Sequence, residues 1–312
     1  MSGSGVYLHG GRSDGSSKAG GAITLSAGAA SGTTSTGGAV LILGGDGIDM
    51  GGSVVVRSGV GAATGTTNSG AVQILTANAA VTGNSGKLHL STGYAASGNS
   101  GDVGVYTGDS SSGRSGSITV AAGETTAGQG GSVTIAAGKT TTASGLTGGY
   151  VLVQSGDGVT VSGAVSIAAG AATAGDAGPV VLQGGTAAAA TKLGGAVSIV
   201  AGLAQGAGST GGSVTLMGGV GQAMGGSVLV VSGVGGATAT SSGAVWVQSA
   251  NSGGTGSSGA LYFMSGSVTT GSSGAVTIAS GDVTTGATGA VTLRGGTNAA
   301  QTGVCLCAHV LS

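Results

Sequence analysis

The sequence predicts an all-β protein: one continuous parallel β-solenoid of about 19–20 short coils, each about 14–18 residues long. Three observations lead there. Gly supplies 74 of 312 residues, with a single Pro. A short motif with apolar residues at i and i+2 returns along the whole chain. A longer period of 174 residues reproduces the order of long and short repeats.

Composition removes the main competitors. This much Gly works against helices at about 1 kcal/mol per site. One Pro and no three-residue period exclude collagen. An apolar share of 40% and a net charge of −1 exclude a charge-driven disordered chain. The eight Lys and Arg are scattered, which argues against a nucleic-acid partner held through phosphates. No apolar run approaches the length of a membrane span, so no membrane insertion is expected. The start, MSGSGVYLHGG, lacks the basic and apolar regions of a signal peptide.

The repeat itself reads as a small residue, Gly, any residue, then apolar–any–apolar, two residues and Gly. GGAITLSAG from Gly20, SGSITVAAG from Ser115, GGSVTIAAG from Gly130, SGAVSIAAG from Ser162 and SGAVTIASG from Ser273 are examples. The apolar pairs are Ile23/Leu25, Val54/Val56, Ile118/Val120, Val165/Ile167 and Val276/Ile278. Period 2 with β-branched residues predicts a strand with one covered face. Near-identical units of this length favour parallel coils stacked like on like. Val, Ile and Leu are therefore expected inside, with Phe263 the one large inward residue beside Leu261.

Residues 5–67 match 179–241 at an offset of 174, and from Ser69 the offset becomes 173. Lys18 falls on Lys192, and Met50 on Met224. Eleven coils thus form a higher-order repeat in which 5–176 resembles 179–301 onward. The expected organisation is one solenoid over 1–307 and a short tail over 308–312.

Three sets of outward residues stand out as candidate sites. Leu229, Trp246 and Tyr262 occupy the position between the two apolar residues in consecutive repeats. Their block equivalents are Val55, Gln73 and His89. An outward row of large apolar side chains marks a contact surface. Asn68, Asn84 and Asn99 precede Ser–Gly in three consecutive repeats and predict an amide ladder along the stack. Cys305 and Cys307 alternate on the last strand, too badly placed to bond each other, which leaves a disulfide to another chain or free thiols.

No catalytic constellation emerges, so no enzyme and no cofactor are expected. His9, His89 and His309 lie far apart, and the acids are scattered. GGDGIDM at 44–50 begins like a calcium-binding nonapeptide. It fails where Gly51 stands in place of an apolar residue, and no tandem copy follows, so no metal site is assigned.

The recurrent motif, over residues 5–307, resembles the Gly-rich β-solenoids of secreted fibrous and adhesin-like proteins, including protist and algal surface filaments. The resemblance implies a structural role at the cell surface or outside it and brings no catalytic residues. The first repeat already carries the motif and the last begins another, so both ends are expected as open sheet edges that stack head to tail. Few charges favour lateral packing. The expected function is thus the self-assembling building block of an extracellular filament or appendage, with copies of itself as partner. The alternative is a binding module that orders ice through its Thr pairs or holds glycans through Trp246 and Tyr262.

Overall fold

The computed structural model describes residues 4–15, 18–61, 67–79, 82–141, 146–189, 191–236 and 241–296. The chain falls into two units, Met1–Leu152 and Val153–Ser312.

The β-solenoid expected from the sequence is not formed. Among the described residues there is neither a strand nor a helix, and none is buried. Among the described residues, the apolar pairs that were to line an interior are open to solvent. The physical reason lies in the same composition that suggested the solenoid. Fixing one residue's backbone costs roughly 1–2 kcal/mol, and Gly loses more freedom than any other residue. Each repeat offers only two aliphatic side chains against that cost, and the whole chain has one Phe and one Trp. The periodicity tells which residues share a face. It does not supply the area needed to hold successive repeats together.

What the chain does form is a series of backbone-closed loops. Among the described residues, ten Gly amides donate to the carbonyl of an earlier Gly, always from the start of one motif back to the end of the motif before it. The first unit holds Gly21 to Gly11 at 2.7 Å, Gly38 to Gly28 at 2.9 Å, Gly52 to Gly45 at 2.7 Å, Gly70 to Gly59 at 3.0 Å and Gly149 to Gly138 at 2.9 Å. The second holds Gly163 to Gly156, Gly195 to Gly185, Gly212 to Gly202, Gly226 to Gly219 and Gly243 to Gly233, at 2.8–3.0 Å. Each bond pins the two ends of a variable Thr-, Ala- and Ser-rich stretch. Such a bond replaces one that water would otherwise make, so its net contribution is modest, about 0.5–1.5 kcal/mol.

The necks of these loops explain the Gly pairs. A Cβ on Gly10, Gly44, Gly184 or Gly218 would overlap the carbonyl oxygen of Gly21, Gly52, Gly195 or Gly226 respectively. A Cβ on the following residue, at Gly11, Gly45, Gly185 or Gly219, would meet nothing. One member of each pair is thus sterically required and the other is not. Many of the half-buried residues sit at the loop necks. Ala27, Gly44, Ser58, Ala201, Gly218 and Ser232 are among them, and no Val, Ile or Leu is.

The block duplication is carried into this geometry. Four of the Gly–Gly bonds in the first unit recur in the second at the offset of 174 or 173. Ser35 donates from its amide and its hydroxyl to the carbonyl of Gly32, and Ser209 does the same to Gly206. Lys18 and Lys192 close matching turns onto Gly15 and Ala189. Gly98 and its block equivalent Gly271 both take left-handed φ values, +129° and +108°.

Candidate assembly surface

Exposure along each motif is uneven in a regular way. Val40 is 52% exposed, Leu41 76% and Ile42 65%. The first apolar residue of the pair is the least open, and the residue between the two is the most open. The same order holds in Val54–Val55–Val56 and in Val180–Val181–Leu182. The period-2 register of the sequence is therefore present locally, although no ladder of strand bonds accompanies it. Alternate residues point one way in any extended backbone, which is all that the register requires.

Leu229, Trp246 and Tyr262 occupy the most open position of their motifs, at 84%, 85% and 75% exposure. Each is more exposed than both of its apolar neighbours. Val55, the block equivalent of Leu229, is likewise open. Among the described residues nothing covers these three side chains, and their motifs belong to consecutive repeats of the second unit.

Consecutive repeats do meet at one apolar hollow. Phe263 from one motif and Val276, Thr277 and Ile278 from the next line a cavity of about 430 Å³ in the second unit. All four side chains remain exposed, so the hollow is an open notch between repeats rather than a closed interior.

The polar candidates are dispersed. Asn68, Asn84 and Asn99 are exposed, and no hydrogen bond joins them among the described residues. Each precedes a Ser–Gly motif start, beside the turn that reverses into it. Gly83 and Gly98, just before Asn84 and Asn99, take left-handed φ values of +135° and +129°. The repeated Gly–Asn pair reads here as turn chemistry. Cys305 and Cys307, with the tail at 308–312, lie outside the described residues.

Charged chemistry is sparse. Arg12 and Asp14 form an exposed ion pair at 2.6 Å. Asp46 and Asp49, in the sequence that begins like a calcium loop, are exposed, and no three His, Cys, Asp or Glu converge among the described residues. Tyr7 and His9 lie with near-parallel rings 6.3 Å apart. No helix among the described residues is long and apolar enough to cross a membrane.

Sequence reasoning missed the loop necks. Their signal was visible as the doubled Gly at both ends of a motif, but a Gly that merely permits a turn and a Gly that excludes a Cβ look identical in sequence. No family model matches the chain, and neither a curated protein nor a solved structure matches it.

Proposed function

We propose that the chain is a structural protein whose partner is itself, the building block of an extracellular or cell-surface filament or appendage. The observation that carries this reading is the succession of apolar pairs, recurring along the chain and open to solvent, with no interior among the described residues to receive them. Each aliphatic side chain moved from water to a covered site contributes roughly 1.5–3 kcal/mol. A second copy presents the same pairs at the same spacing, which few other partners would. With 5% charged residues and a net charge of −1, little electrostatic repulsion opposes association. The reading needs no cofactor and no catalytic group.

Electron micrographs of the purified protein test it, combined with sedimentation over a dilution series. Uniform fibres that appear above a threshold concentration support the reading. A monomer at every concentration, with no ordered material, overturns it.

One observation favours a second reading, a glycan-adhesive module. The rings of Trp246 and Tyr262 are free to stack on a sugar, and Trp246 is the single Trp of the chain. Saturable quenching of its fluorescence by a soluble glycan would favour adhesion over assembly.

A further inference from the structure

We infer that copies of the chain associate in parallel with a stagger of one block, so that the first block of one copy lies against the second block of the next. The inference rests on the self-association proposed above and specifies its register.

The first step is geometric. The first four pinned loops of the first block span 10, 10, 7 and 11 residues, and those of the second block span 10, 10, 7 and 10. The half-buried neck residues coincide as well: Ala27 with Ala201, Gly44 with Gly218, and Ser58 with Ser232. Among parallel arrangements, only zero offset and one block bring four or more of these loops into coincidence. An antiparallel copy brings three loops into coincidence rather than four: Gly28–Gly38 with Gly233–Gly243, Gly45–Gly52 with Gly219–Gly226, and Gly59–Gly70 with Gly202–Gly212.

Charge then separates the two offsets. At zero offset every charged side chain faces its own copy, and like charges directly opposite one another destabilise a paired extended backbone. At one block most charges face neutral residues instead. Arg12 meets Thr186, Asp46 meets Val220, Arg57 meets Val231 and Lys87 meets Ala260. Two like-charged matches remain, Lys18 with Lys192 and Asp109 with Asp282. The second block has shed nearly all the charges the first one carries, which suits it to receive the first block and not itself.

The stagger also yields an open assembly. A pair matched block one to block two leaves one block of each copy unmatched, and each free block accepts a further copy. Head-to-tail contacts of this kind extend without closing.

Two measurements on the full chain test the register. In a Cys305→Ser, Cys307→Ser background, Arg57→Cys and Val231→Cys variants are mixed in equal amounts, assembled and joined with a short bismaleimide. Mass spectrometry then identifies the links. The stagger predicts links between position 57 of one chain and position 231 of the other. Links confined to 57–57 and 231–231 overturn it. The second measurement is the threshold concentration for assembly. Val231→Asp, placed opposite Arg57, lowers it roughly two- to five-fold, and Val231→Arg raises it by a similar factor. At zero offset both variants face themselves and both raise the threshold, which contradicts the stagger. Assembly with 57–57 links sinks the register alone, whereas a wild-type chain that stays monomeric sinks self-association itself.

Discussion

The amide of Gly52 donates to the carbonyl of Gly45 across 2.7 Å, and the same bond stands one block later between Gly226 and Gly219 at 2.8 Å. In both places the preceding Gly, at 44 or 218, has no room for a Cβ, because the carbonyl oxygen of Gly52 or Gly226 occupies it. These two seven-residue loops are thus each defined by one steric condition and one backbone bond, whereas the third, Gly156–Gly163, has Ser155 in the place of that Gly.

Gly44→Ala therefore opens the neck, while Gly45→Ala, facing open space, leaves it closed. Hydrogen exchange at the Gly52 amide reads the difference. Gly44→Ala is expected to speed exchange by roughly two- to ten-fold, the equivalent of one modest hydrogen bond. Equal exchange in the two variants would show that the neck does not depend on the missing side chain.

A similar contrast separates Gly98 from Gly108. Gly98 holds a left-handed φ of +129°, where an added Cβ meets the following carbonyl. Gly108 has open space around it and no such φ. Gly98→Ala should lower the urea midpoint of the assembled material by the equivalent of about 1–2 kcal/mol per chain. Gly108→Ala should leave it within error, and a reversed order would refute the backbone assignment at these turns.

How far the sequence could be read is clearest at Val165 and Ser166. The period-2 pattern places Val165 and Ile167 on one face and Ser166 on the other, and the graded exposure of the motifs follows that register. The repeat length and the block duplication were legible for the same reason, since both are matters of spacing. Closure of the repeats into a solenoid was not. It depends on how much surface two side chains per repeat can cover, and a period carries no magnitude. The distinction between Gly44 and Gly45 was hidden for a different reason: one residue type serves both roles.

Val165→Asp should then raise the threshold concentration for assembly more than Ser166→Asp does. In an association that covers the apolar face, the carboxylate at 165 is carried out of water without a partner, whereas that at 166 stays hydrated. Sedimentation at matched concentrations measures both. Equal thresholds would place the covered face on the other side of the chain.

Trp246 offers a spectroscopic reading of the same event. At 85% exposure in the single chain, it should be freely quenched by acrylamide in dilute solution. In the assembled state its quenching should fall and its emission shift to the blue, because aromatic residues concentrate at the centres of interfaces. Trp246→Ser should weaken assembly. Quenching that is unchanged on assembly would mark the Leu229, Trp246 and Tyr262 row as surface that is merely tolerated.

The central claim is that the apolar pairs left open in the single chain are covered by other copies of it. Sedimentation velocity across a wide dilution series tests this most directly. The account predicts one slowly sedimenting species at low concentration and large, growing species above a threshold. A monomer at every concentration would contradict it, because no other copy would then cover the apolar pairs.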